Sequence, residues 1–213
     1  MPRVLRLLIL TNDLRLGNII GLVWANYLVT RTACLFRYGT DREYFAKLNL
    51  ILKGVPIEET TYMNLYVPSL KVSMEIYITR MVAGNPSSLL TSYLERFNSY
   101  AIILTEDESY SLRFTLRAII KAKKPRWIPF FLCKISAPLA IIIFSKNEDK
   151  IKVITNSIRK LIKKMSNFAL FHLSDEIFLV NNGYMLNLDN RKIFEKLSEP
   201  FKWILHMKLK KVI

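Results

Sequence analysis

The sequence predicts an α/β fold of three layers, with a mostly parallel sheet and helices on both faces. Three observations carry that expectation. Short branched apolar runs recur: LRLLIL at 5–10, YAIILT at 100–105, PLAIIIF at 138–144 and FALFHL at 168–173. Each has the length and composition of a strand buried on both faces. Longer helix-like segments separate them, the signature of strand–helix units. The chain has 213 residues, is 51% hydrophobic, and contains only 6 Gly and 8 Pro. One domain spanning 1–213 with a full core is expected, with little linker and no internal repeat.

Each element follows in order. Residues 5–10 form the first strand, and 17–32 have the length and apolar density of a core helix. Residues 37–43 are polar and turn-like, and 44–55 read as helix or strand. In 64–81, Val72, Met74, Ile76 and Ile78 alternate with Ser73, Glu75, Tyr77 and Thr79, a period of two. That segment is a hairpin with Pro68 in its turn. VAGNPSS at 82–88 is a loop, 89–98 a short amphipathic helix, and 100–105 a strand ending in EDES. Residues 110–124 form a helix whose basic end suits its dipole. An aromatic connector at 125–137 leads to a strand at 138–144 and a basic helix at 150–166. The strand at 168–173 and a turn at 181–183 precede the last helix, 188–207, which Pro200 interrupts.

Charge narrows the partners. Lys plus Arg number 32 against 17 Asp plus Glu, a formal net charge of +15. That excess favours nucleic acid, an anionic membrane face or an acidic protein. Cys34 and Cys133 stand far apart and make no metal-spacing motif, which fits a reducing, cytoplasmic compartment. The N-terminus has a short apolar run and no small-residue cleavage site, so no signal peptide is expected. Residues 127–145, with Lys134 as the sole charge, approach the length of a membrane span. Pro129 and Pro138 divide them, so a strand is favoured over a span. Association with a membrane surface stays open.

Four fragments follow strand ends in succession: TNDLRLGN, MVAGN, SKNED and HLSD. With the element order, the chain length and the loop positions, they give a chain that resembles the Ras-like small GTPase fold over nearly its whole length. The resemblance does not extend to an intact motif set. The family's phosphate loop, G-x-x-x-x-G-K followed by Ser or Thr, wraps phosphates with backbone N–H groups and binds magnesium through its hydroxyl. Laid on this chain it gives Asn12 and Gly17 for the glycines, Asn18 for the lysine and Ile19 for the hydroxyl residue. Arg15 lies inside the loop. In the family's D-x-x-G, Met81 replaces the aspartate, Gly84 stays in register, and Asn85 takes the place of a water-positioning glutamine. In its guanine-reading N/T-K-x-D, Ser145, Lys146 and Glu148 are in register, with Asp149 an alternative. Ser174 falls at the last loop's serine, with Asp175 after it. The resemblance therefore implies a pseudo-GTPase. It is non-catalytic, has nucleotide binding lost or strongly weakened, and has no cofactor. Its expected work is docking a protein partner, such as a GTPase-like or a roadblock- or longin-type subunit. Segments 37–55 and 64–81 are the places to look. An active nucleotide enzyme using a non-standard loop is the remaining enzymatic alternative.

Other candidates bear on the charge. Lys121, Lys123, Lys124 and Arg126 beside Trp127 form a basic–aromatic cluster. It is a candidate contact for RNA in a ribonucleoprotein or for anionic lipid, against a plain helix end followed by a packed loop. Arg159, Lys160, Lys163 and Lys164 give the next helix a basic stripe, by default a solvated face, and 207–213 form a basic C-terminal edge. His172 and His206 have no partner at metal or triad spacing, so structural roles are expected. Glu106, Asp107 and Glu108 are expected to cap the helix that follows rather than bind a cation.

Overall fold

The structure is a computed structural model that describes residues 3–31, 35–36, 62–68, 71–105, 108–124, 134–145, 147–173, 178–180, 183–185 and 191–209. The strands are β1 (Arg3–Thr11), β2 (Leu35–Phe36), β3 (Tyr62–Val67), β4 (Val72–Thr79), β5 (Ser99–Leu104), β6 (Leu139–Ile143), β7 (Phe168–His172), β8 (Phe178–Val180) and β9 (Gly183–Met185). The helices are α1 (Leu14–Arg31), α2 (Ser88–Glu95), α3 (Ser109–Lys123), α4 (Glu148–Ile162) and α5 (Arg191–Leu209). Seven strands form one sheet in the order β2-β3-β4-β1-β5-β6-β7, and β8 pairs with β9 in a separate hairpin. From β4 to β7 every pairing is parallel, while β3 runs antiparallel to β4 and to β2. The expected α/β class, with a mostly parallel sheet and helices on both faces, is what the chain adopts.

The central strand explains the layering. Along β1, Leu5, Leu7 and Ile9 enter one core with α1 and α5, while Leu8 and Leu10 enter a second with α2, α3 and α4. A strand covered on both sides carries no polar alternation, which is why LRLLIL reads as a continuous run. β5 and β6 are buried at every position. In β4 the alternating residues Val72, Met74, Ile76 and Ile78 all face the α1–α5 core, as their period of two requires. Asn98 extends the β1–β5 ladder. Its Oδ1 accepts from Arg6 N at 3.0 Å, and its Nδ2 donates to Val4 O at 2.9 Å.

Several helices depart from the expected bounds; α2 and α4 end early, at Glu95 and Ile162. α1 starts at Leu14, three residues before the expected 17. α5 runs unbroken through Pro200 instead of being interrupted there. Proline removes one backbone N–H and crowds the preceding turn, yet α5 is held from outside. Trp24 Nε1 donates to the Leu197 carbonyl at 2.8 Å, and the Trp24 and Phe201 rings stack at 5.2 Å. Tertiary packing outweighs the local cost. Residues 139–143 of the stretch weighed as a span are strand β6, and among the described residues no helix is long and apolar enough to cross a membrane.

Candidate functional site

In open α/β sheets ligands bind at the carboxyl ends of the parallel strands. Here those ends carry the residues that follow β1, β4, β5, β6 and β7, and TNDLRLGN, MVAGN and the described residues of SKNED and HLSD sit on that edge. The first is the decisive one. Only Asn12 and Asp13 separate β1 from α1, so Leu14, Arg15, Leu16 and Gly17 are already helical. A six-residue phosphate cradle has no backbone left to form it.

The short turn is closed by its own side chains. Thr11 is buried; its Oγ1 accepts from Asp13 N at 3.1 Å and donates to Asp13 O at 3.3 Å. Asp13 Oδ1 accepts from Leu16 N at 2.9 Å, the bond of an N-cap residue to the third helical position. An internal carboxylate therefore sits where an incoming phosphate would meet the helix N-terminus and its partial positive charge. Asn12 is exposed and Arg15 half-buried. Asn18 is buried, with Nδ2 donating to Leu14 O at 2.9 Å, and its Oδ1 has no partner among the described residues. Ile19 is fully buried in the α1–α5 core, so the position of the family's metal hydroxyl points into hydrocarbon.

Gly17 has a packing role. A β-carbon there would lie 2.9 Å from both Ile78 Cγ2 and Thr11 Cγ2. One turn on, Gly21 would meet Met63 Cε at 2.9 Å and Ile78 Cδ1 at 3.1 Å. The two glycines bring α1 close to β1 and β4. Proximity to the sheet, rather than to a ligand, accounts for the glycine that made the stretch look like a phosphate loop.

The other loops are also fastened internally. Met81 is buried and its N–H donates to Thr11 O at 3.2 Å; Val82 N donates to the buried Thr115 Oγ1 at 2.9 Å. Gly84 has open space where a side chain would go, and Asn85 is exposed. Ser87 Oγ accepts from Leu90 N and caps α2. In SKNED, Ser145 Oγ accepts from Asn147 N at 3.1 Å and Asn147 Oδ1 accepts from Asp149 N at 2.9 Å. Asn147 thus caps α4. Glu148 and Asp149 are exposed in its first turn, where negative charge suits the dipole. The Ser145 carbonyl accepts from His172 Nε2 at 2.6 Å, which places the proton on that ring nitrogen. Lys146 and Ser174 lie outside the described residues.

The basic–aromatic cluster falls only partly within the described residues. Lys121 is exposed and Lys124 half-buried, while Arg126 and Trp127 lie outside the described residues, as do Cys34, Cys133 and the segment 37–55. Lys123 serves the fold. Its Nζ donates to the Glu95 carbonyl at the end of α2 at 2.6 Å and lies 5.9 Å from the Tyr100 ring centre. Burial, then the neighbouring Lys208, pull its pKa below the ordinary lysine value, against the opposing pull of Glu95. Burial likewise lowers Lys208. Tyr100, with its hydroxyl donating to Leu94 O at 2.7 Å, is held well above the usual phenol range, first by burial and then by Glu95. Nothing in the sequence around Lys123 signals this role, because α2's carbonyl reaches it only through tertiary packing.

No family model matches the chain, and comparison with curated proteins finds no match.

Proposed function

We propose that the chain is a non-catalytic interaction module built on the Ras-like plan, and that it works by docking a protein partner. The plan is supported by the chain order: a first strand in the middle of the sheet, a helix, an antiparallel hairpin, a helix, then strand–helix units on the far side. The non-catalytic reading rests on one observation. Two residues join β1 to α1, and the Asp13 carboxylate occupies the helix N-terminus. A nucleotide triphosphate placed there would meet a negative charge, no loop amides and no lysine, so positioning and charge stabilisation are both missing.

The docking reading rests on exposed apolar residues at the starts of neighbouring helices. Leu89 on α2 is 83% exposed and Tyr110 on α3 is 64% exposed. Large side chains rimmed by polar ones mark contact sites more often than isolated exposure does. The β3–β4 hairpin, by contrast, buries most of its residues. The surface favoured for a GTPase-like or roadblock- or longin-type partner therefore moves to α2 and α3.

Calorimetry of the full chain with GTP and magnesium tests the non-catalytic part. No binding heat is expected at millimolar nucleotide. A micromolar dissociation constant overturns the reading.

A further inference from the structure

The docking surface on α2 and α3 carries charge as well as apolar side chains. Both helices connect parallel strands and pack side by side, so Leu89 and Tyr110 stand at the same end of the layer. Along α3 the exposed Tyr110, Arg113, Arg117 and Lys121 and the half-buried Phe114 fall within about 100° of the helix circumference at 3.6 residues per turn. They make one stripe, roughly 16 Å long at 1.5 Å per residue. Its start is connected. Tyr110 meets Phe114 edge to face with ring centres 4.7 Å apart, and the Arg117 guanidinium lies 6.0 Å from the Phe114 ring centre. α3 contains no Asp or Glu, and among the described residues Arg113, Arg117 and Lys121 form no ion pair.

An occupant that satisfies this stripe brings apolar surface and negative charge together in one short segment. An acidic stretch of polypeptide with an aliphatic or aromatic anchor does so. Its carboxylates match the planar guanidinium groups of Arg113 and Arg117, which take a carboxylate through two parallel N–H bonds. Its anchor covers the ring of Tyr110 and the side chain of Leu89, which is 83% exposed. Two other occupants fit less well. A nucleic-acid strand stacks on ring faces, and Leu89, the most exposed large apolar residue among those described, has none. A bilayer is broad enough to meet the whole layer at once. It would include the exposed Glu95 of α2 and the exposed Glu148 and Asp149 of α4, which anionic headgroups repel. A peptide needs only the one stripe.

We propose that the partner segment docked by α2 and α3 is an acidic peptide, anchored by an apolar side chain on Leu89 and Tyr110 and held by its carboxylates on Arg113, Arg117 and Lys121. The inference rests on the docking surface proposed above and names the chemistry of its partner.

Panning the immobilised full chain at about 0.15 M salt against a phage-displayed library of random peptides long enough to span the stripe tests it. Enriched peptides should carry an aliphatic or aromatic residue together with two or more Asp or Glu. Synthetic copies should bind about tenfold more weakly to Arg113→Ala with Arg117→Ala, the effect of losing two exposed ion pairs, and more weakly to Leu89→Ser with Tyr110→Ser. Lys71→Ala with Lys134→Ala removes the same charge from other exposed positions and should leave affinity within about twofold, because distant exposed charges are screened. Against Arg113→Glu with Arg117→Glu, copies with Lys in place of the acids should bind and the acidic originals should not, a reversal that misfolding does not produce. Enriched peptides without acids, still sensitive to Leu89→Ser with Tyr110→Ser, would overturn the acidic partner and leave the docking surface standing. Peptides indifferent to Leu89 and Tyr110 would overturn the docking surface and this inference with it, as would no enrichment at all. Equal losses from the two charge-removing pairs would reduce the effect to net charge and overturn the site. Tighter binding of phosphatidylserine vesicles or single-stranded RNA, with the same dependence on Tyr110, Arg113 and Arg117, would overturn it too, since the occupant would then be lipid or nucleic acid.

Discussion

At position 17 an added β-carbon would press on two branched methyls that are anchored to their own β-carbons, Ile78 Cγ2 and Thr11 Cγ2. Each could yield only by rotating χ1, which is stiff in a β-branched side chain. Gly17→Ala should therefore destabilise the fold by about 1–3 kcal/mol despite alanine's better helix propensity. Gly21→Ala meets the mobile end of Met63, and the propensity gain of about 1 kcal/mol offsets part of the crowding. Its change should stay within about 1 kcal/mol. Urea unfolding of the two variants checks the order, and equal costs would sink the packing account. Tyr100 gives a second test at this scale. Its buried phenol stays protonated in the folded state well above the ordinary pKa of about 10, while the unfolded chain ionises there. Above that pH the unfolded state holds fewer protons, so stability present below pH 10 is lost at up to about 1.4 kcal/mol per pH unit. Lys123 and Lys208 act with the opposite sign. Their lowered folded pKa values make stability rise as pH approaches the unfolded lysine value. Tyr100→Phe should flatten the fall in urea midpoint between pH 10 and 11. A remainder should persist from Tyr62 and Tyr93, both raised chiefly by burial.

Among the elements, α1 and α5 are coupled by Trp24. Its indole satisfies the Leu197 carbonyl and stacks on Phe201 at an interplanar angle of 6°. Trp24→Phe removes the donor and leaves a cavity, so a loss of about 2–4 kcal/mol is expected. Denaturant unfolding should show a lower midpoint with an unchanged slope. A cost below 1 kcal/mol would mean that α5 is held across Pro200 by other contacts. The elements also show what the sequence makes legible. β5 and β6 were visible because a strand buried on both sides is apolar at every step. The hairpin was visible because β4 alternates. The start of α1 was masked by the glycine at 17, which reads as a loop residue unless the sheet packed against it is known. A local signal was nevertheless present: Asp13 immediately precedes the apolar Leu14 and Leu16, the pattern of an N-cap. SKNED likewise held a cap, Asn147, inside a fragment that looked like a base-reading loop. The contact between Trp24 and α5 joins positions 173 apart in the chain, and no periodicity announces it.

Across the whole molecule, the charge of +15 sets a field that no single pair describes. Like charges repel most when the chain is compact, so the folded state carries more of this cost than the unfolded one. At 10 mM salt the screening length is about 30 Å, on the scale of the domain; at 0.1 M it is about 10 Å. Among the described residues, Arg117 and Lys121 near the end of α3 and Arg159, Lys160 and Lys163 at the end of α4 are exposed and contribute to the repulsion. Among the described residues the ion pairs stand at least partly in solvent: Arg6–Glu75 keeps 45% of the arginine side chain exposed, Lys152–Asp149 is more open still, and Lys202–Glu195 is half-buried, so screening them loses little. Stability at pH 7 should accordingly rise between 10 mM and 0.3 M sodium chloride. The expected gain is on the order of 1–2 kcal/mol, the equivalent of a few close like-charge pairs in water. Arg117→Ala with Lys121→Ala should raise stability at 10 mM salt and shrink the gain, because part of the repulsion is already gone. Sodium fluoride should match sodium chloride, since screening depends on ionic strength and not on the anion. A fall in stability with added salt would place the ion pairs above the repulsion, and a chloride-specific rise would point to anion binding at the basic end.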